Sequence, residues 1–168
     1  MGRGSLFAPW RMDYIRSLGA PEGGKGCFLC QAAAAESEIE KAERLVLWKT
    51  PDTVVLMNRF PYTNGHLLIA PRSHKAEMDE LTSQEKLDLM EQTDQAMRLL
   101  KRAVSAQGFN VGINFGRCAG AGLPGHLHQH VVPRWGGDVN FMSVVGEIQV
   151  VPEAITKLYG ELLTVRAG

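Results

Sequence analysis

The sequence predicts an α+β fold: a mainly antiparallel, five-stranded sheet with one long helix and a C-terminal helix. Three observations lead there. Short apolar or alternating runs bounded by turn residues recur between Leu45 and Arg134. These runs follow one another in hairpin-like succession, with helices between them. One capped stretch beginning at Thr82 carries the strongest helical pattern in the chain.

Residues 1–26 read as a loop-rich N-terminal arm that ends in the glycine-rich stretch Gly19–Gly26. Ala32–Glu40 is helix-prone but has no clear apolar face. Leu45–Trp48 and Thr53–Asn58 read as two strands turned by Thr50-Pro51-Asp52, and Gly65–Ala70 as a third, closed by Pro71. In the long helix, Thr82 and Glu85 make a capping box, and Leu87, Met90, Met97, Leu100 and Val104 recur near helical spacing as a core-facing stripe. Gly108 is its expected terminator. Phe109, Val111, Ile113 and Phe115 alternate with Asn110, Gly112, Asn114 and Gly116, the pattern of a strand with one polar face. A loop containing Gly116, Gly120, Gly122 and Gly125 follows; then His126–Arg134 reads as the fifth strand and Glu153–Arg166 as the terminal helix.

The 168 residues suit a single domain spanning 1–168. Basic and acidic residues balance at 18 each, which argues against broad nucleic-acid or anionic-membrane binding. No apolar run approaches the ~20 residues of a spanning helix. Leu6-Phe7-Ala8 is broken by Pro9, Arg11 and Asp13, so no secretory leader is expected. Three cysteines without a leader point to a reducing cytoplasm and not to a disulfide framework.

Three of the five histidines stand in His126-Leu127-His128-Gln129-His130. On a strand these alternate positions share a face, so the three imidazoles are expected to point the same way. Such a row on an apolar face has no packing purpose. Two chemistries could use it. One is a catalytic metal held by two neighbours, since adjacent members lie ~6.7 Å apart and the outer pair ~13 Å. The other is nucleophilic attack on phosphorus by the central imidazole, neutral near pH 7. The glycine-rich loop before the row favours phosphorus, because it leaves room for backbone N–H groups to approach an anion. Cys27-Phe28-Leu29-Cys30 is a C-x2-C pair. It is open to three readings: a redox motif, two free structural thiols, or half of a zinc site.

His-Leu-His-Gln-His-Val-Val at 126–132 resembles the signature of the histidine-triad (HIT) nucleotide hydrolases and transferases, His-φ-His-φ-His-φ-φ with φ apolar. Asn64-Gly65-His66-Leu67-Leu68-Ile69-Ala70-Pro71-Arg72-Ser73-His74 resembles the second block of that family. Phe7-Ala8-Pro9-Trp10-Arg11 and Pro133-Arg134-Trp135-Gly136-Gly137-Asp138-Val139-Asn140-Phe141 are similar to its bacterial branch that cleaves diadenosine polyphosphates.

The resemblance implies an enzyme that cleaves a dinucleoside polyphosphate such as diadenosine tetraphosphate, by hydrolysis or phosphorolysis, through a covalent nucleotidyl-histidine. His128 is then the nucleophile. His130 binds phosphate oxygens or helps protonate the leaving group, and Asn114 lies near the scissile phosphate. Asn58 meets the ribose, and Gly120 and Gly122 line the phosphate loop. The zinc-bearing members and the related galactose-1-phosphate uridylyltransferases imply a closed, structural Zn²⁺ site of Cys27, Cys30, His74 and His126, with His66 orienting the triad. They also imply a homodimer. Cys118 remains a loop thiol. A nucleoside phosphoramidase and a non-catalytic nucleotide-binding protein are the alternative functions. Two departures stand out. Gln129 occupies an apolar position of the motif, and no serine lies between Ser105 and Ser143, so backbone N–H groups are expected to serve where relatives use a serine.

Overall fold

A computed structural model describes residues 26–138 and 154–168. Nearly all of the N-terminal arm, the Phe7–Arg11 segment, Val139–Phe141 and the expected helix start at Glu153 lie outside the described residues. The helix-prone stretch forms two short helices, α1 (Phe28–Ala34) and α2 (Glu38–Glu43). Ser37 divides them, because its hydroxyl caps Glu40 while the Glu40 carboxylate caps Ser37 in return.

The five expected strands are present: β1 (Val46–Lys49), β2 (Thr53–Met57), β3 (Leu67–Pro71), β4 (Gly108–Ile113) and β5 (Gln129–Arg134). They pair antiparallel in the order β1-β2-β3-β5-β4. His130 therefore stands between Leu68 of β3 and Gly112 of β4. The long helix α3 (Ser83–Val104) and the terminal helix α4 (Ile155–Ala167) cover one face, where Leu67, Ile69, Leu127 and Val131 meet Leu89, Leu99, Leu100, Leu158 and Leu162. On the other face Val54, Leu56, Leu68 and Ala70 pack against Leu29, Ala32 and Ala33 of α1. No helix among the described residues is long and apolar enough to cross a membrane.

Three expectations are corrected. Leu87 and Met90 point outward, at 53% and 61% exposure. The buried stripe of α3 is instead Glu85, Asp88, Leu89, Gln92, Thr93, Ala96, Leu99 and Leu100. Leu87 lies ~200° of helical rotation from Leu89, so both cannot face the sheet. Polar residues occupy the buried stripe because they are partnered. Trp48 Nε1 donates to Gln92 (2.8 Å), Gln92 donates to Asp88 (2.9 Å), and Asp88 accepts from the Thr50 hydroxyl. The helix ends before Gly108, at Ser105 in the left-handed region (φ 51°), and Gly108 opens β4. Finally, β5 begins at Gln129, so His126 and His128 precede the strand.

Candidate active site

The turn into α1 brings Cys27 and Cys30 together, with the Cys30 N–H directed at Cys27 Sγ (3.5 Å). Pro71 at the end of β3 sends the chain to His74. Cys27 Sγ lies 3.2 Å from His126 Nδ1; Cys30 Sγ lies 3.5 Å from the same atom and 3.2 Å from His74 Nδ1. All four ligand atoms fall within 4.8 Å of one another. Tetrahedral Zn²⁺ with sulfur at ~2.3 Å and nitrogen at ~2.0–2.1 Å needs ligand pairs ~3.3–3.8 Å apart, close to these spacings. The donor chemistry fits as well. His126 Nε2 donates to the Pro71 carbonyl (2.9 Å), leaving the Nδ1 lone pair aimed at the sulfurs. Burial, with Cys27 alongside, pushes the Cys30 thiol up to about 11. A dication held here would reverse that cost and favour the thiolates.

The remaining histidines form a second group with a defined proton order. The Tyr62 backbone N–H donates to His66 Nδ1 (3.1 Å), which makes Nδ1 an acceptor and leaves the proton on Nε2. His66 Nε2 donates to His130 Nδ1 (2.9 Å). The His130 proton therefore sits on Nε2, a buried atom with no protein partner. Burial holds His66 down to about 3 and His130 down to about 4, with His128 adding to both shifts, so both rings are neutral near pH 7. His128 Nδ1 donates to the His126 carbonyl (2.8 Å), which leaves its Nε2 with a lone pair. Burial lowers the His128 pKa too, against that hydrogen bond. The His128 and His130 rings lie 5.1 Å apart, edge to face.

A cleft of about 430 Å³ opens beside this group, with His130, Asn114 and Tyr62 at one end. Gly120 comes close to Asn114: a Cβ on it would lie 3.8 Å from Asn114 Nδ2. Gly122 follows in the bend before His126. The expected anion nest is only partly available. The Ala119 and Ala121 N–H groups both donate to the Gly116 carbonyl, and Gly120 N–H donates to Arg117, so these three donors are spent on the turn itself. Asn58 is drawn towards His66: Oδ1 accepts from Phe60 N–H (3.0 Å) and Nδ2 lies 3.2 Å from His66 Nδ1. Cys118 is exposed on the loop.

Several residues of the site were not legible beforehand. Tyr62 packs against His66 at a tilt and stacks on His130, at 4.7 and 5.8 Å between ring centroids. Gln129, the departure from the motif, is buried and donates to the Thr93 hydroxyl, which donates onward to Leu89 O (2.7 Å). Glu85 accepts from Ser73 (2.7 Å) and from Lys75 (2.7 and 2.8 Å), the two neighbours of His74. Lys75 O in turn accepts from Leu127 N–H (2.7 Å), between two triad histidines. The capping box signalled Glu85 as a helix cap, but its grip on Ser73 and Lys75 has no local signature.

The HIT domain model matches residues 40–137, and the chain belongs to that family. Over 151 residues it is 35% identical to the "AP-4-A phosphorylase" of Mycobacterium tuberculosis, covering 89% of this chain and 77% of that one. It is also 35% identical over 91 residues to the "Bis(5'-adenosyl)-triphosphatase" of Saccharomyces cerevisiae, covering 54% and 44% of the two chains. In fold it resembles the crystal structure of a Zn-bound histidine triad family protein from Mycobacterium smegmatis. The TM-score is 0.67 at 21% identity, covering 86% of this chain and 96% of that one.

Proposed function

We propose that this chain cleaves a dinucleoside polyphosphate such as diadenosine tetraphosphate by nucleotidyl transfer through His128. One observation carries the reading: the His126 carbonyl fixes the tautomer of His128, leaving Nε2 unprotonated beside His130. The curated relatives named as a phosphorylase and a triphosphatase support the substrate class. In the first step His128 Nε2 attacks phosphorus, an N–P bond forms, and the P–O bond to the leaving oligophosphate breaks. The leaving group departs as an anion. His130 Nε2–H supplies a hydrogen bond to a phosphate oxygen; a neutral imidazole is too weak an acid to give up that proton. In the second step water or orthophosphate attacks the same phosphorus, the N–P bond breaks, and the proton of the attacking oxygen passes to solvent.

Asn114, Gly120 and Gly122 border the phosphates. Asn58 offers its second amide hydrogen and the remaining Oδ1 lone pair to the ribose. His66 holds His130 in its donor tautomer. Zn²⁺ is the metal that suits Cys27, Cys30, His74 and His126, and it would supply a rigid four-way crosslink and not a reaction centre. A second copy of the chain is the natural partner: β4 forms a sheet edge with Val111 at 44% exposure, and Phe115, two residues past its end, is 42% exposed. Thiols kept free for a metal suit the cytoplasm. The test is product analysis with diadenosine tetraphosphate. ADP formed only with orthophosphate marks a phosphorylase. ATP plus AMP, or two ADP without orthophosphate, marks a hydrolase, and no product with either acceptor overturns the reading.

A further inference from the structure

The cleft beside His130 extends well past the reacting atoms, and its far end has a composition of its own. His130, Val132 and Arg134 alternate onto one face of β5, opposite Gly112, Asn110 and Gly108 of β4. His130 marks the near end of the cleft; Arg134, Asn110 and Asp138 line the far end. Arg134 lies four positions beyond His130, ~13 Å along the strand. His128 and Asn58, which take the transferred nucleotide in the proposed reaction, are not among the lining residues.

Two features suit the far end to a ligand. Arg134 is fixed flat: Nε donates to Asp138 Oδ2 (2.5 Å), Nη2 to Asp138 Oδ1 (3.0 Å) and Nη1 to Asn110 Oδ1 (2.8 Å). These bonds use three of its five N–H donors and leave two, along with the guanidinium face. The route to it is bare. A Cβ built on Gly112, the β4 partner of His130, meets nothing within 4 Å. At the near end, the buried His130 Nε2–H lacks a partner.

We propose that this cleft seats the leaving half of a two-ended substrate. Its oligophosphate chain crosses the open space over Gly112, and its second nucleoside lies with the base against the Arg134 guanidinium. Planar stacking on a preoriented guanidinium suits a purine, and the two spare donors suit the ribose or distal phosphate oxygens. The inference rests on the nucleotidyl-transfer reading. It adds that the chain recognises both ends of its substrate.

The test compares two substrates on the full chain as purified: diadenosine tetraphosphate, which has a second nucleoside, and the p-nitrophenyl ester of AMP, which has none. The readout is the ratio of kcat/KM for the first over the second. Arg134→Ala should lower that ratio ~10–100-fold, the range expected for losing hydrogen bonds to a charged group. Arg134→Lys should not restore it, because a point charge lacks the plane. Gly112→Val, which fills the path without touching Arg134, should lower the ratio as well. A ratio within about two-fold of wild type for both Arg134→Ala and Gly112→Val would overturn the inference while leaving the reaction intact. A wild-type protein that turns over neither substrate would overturn the nucleotidyl-transfer reading and this inference with it.

Discussion

Replacing Glu85 should cost stability well beyond that of an ordinary helix cap. Its carboxylate is buried, at 8% exposure, and receives hydrogen bonds from Ser73, Lys75 and the Thr82 N–H. Glu85→Ala removes a capping partner worth about 1 kcal/mol. It also removes charge-assisted bonds worth ~1.5–3 kcal/mol to a partly buried Lys75. The sum is ~2.5–4 kcal/mol, or a Tm lowered by roughly 5–15 °C for a domain of this size. Those same bonds hold the Glu85 carboxyl down to about 2, Lys75 contributing most, then Ser73 and the Thr82 N–H. A depressed carboxylate stabilises the fold above its ordinary pKa and loses that contribution as pH falls through the depressed one. The stability gap between wild type and Glu85→Gln, measured by urea denaturation, should therefore be steady from about pH 8 to about pH 5 and close as pH approaches about 2. A gap at neutral pH below about 1 kcal/mol, or one that persists unchanged to about pH 3, would refute the clamp.

Other perturbations separate the two histidine groups. Cys27→Ser should leave the purified protein with less than ~0.2 equivalents of zinc, and melting temperature and turnover should fall together; unchanged stability with lost turnover would make the metal catalytic. His128→Ala should abolish the alkali-stable nucleotidyl adduct seen by peptide mass after quenching. His130→Ala should still form it, slowed ~10²–10³-fold as for a lost oxyanion donor. An adduct carried by His130 would reverse the assignment. Thr93→Val should cost ~1–3 kcal/mol by stranding the buried Gln129 amide, whereas Gln129→Leu should cost less, because the Thr93 hydroxyl keeps its bond to Leu89 O. Denaturation midpoints in the opposite order would show that the pair does not work this way.

The strands were legible because their signals are local. Alternation at Phe109–Phe115 and the punctuation by Pro51 and Pro71 sit inside the elements they define. Thr82 and Glu85 announced the start of α3 for the same reason. Its buried face was misjudged because Gln92, Asp88 and Thr93 are polar in the sequence and become core residues only through Trp48, Thr50 and Gln129, which come from distant segments. Gln129 looked like a flaw in the motif for that reason. Within the site, the histidine row and the C-x2-C pair were visible, but the proton order was not. It depends on the Tyr62 N–H and the Pro71 and His126 carbonyls, backbone groups that no residue pattern reveals.

In the proposed reaction, the late start of β5 lets one short run serve two chemistries. A regular strand would line up His126, His128 and His130 on one face, ~6.7 Å apart, so that neighbouring rings would share one environment. Here β5 begins only at Gln129, and the His126 ring turns towards Cys27 and His74 while its carbonyl holds His128. Nδ1 of His126 thus faces the ligand atoms of Cys27, Cys30 and His74, and its carbonyl sets the tautomer of His128, the proposed nucleophile. A metal held there would support His128 through one residue without touching substrate. It follows that a different tetrahedral ion should work nearly as well. Protein reconstituted with Co²⁺ should show tetrahedral, thiolate-rich absorption and retain kcat within about three-fold of the zinc form, because a closed four-ligand site keeps no position for substrate. A catalytic metal would polarise the phosphoryl oxygen directly, so its replacement would shift kcat and the pH profile together. A change of more than ~10-fold in kcat on the Co²⁺ swap, at unchanged thermal stability, would place the metal in the reaction and undo the division of labour argued for His126 and His128.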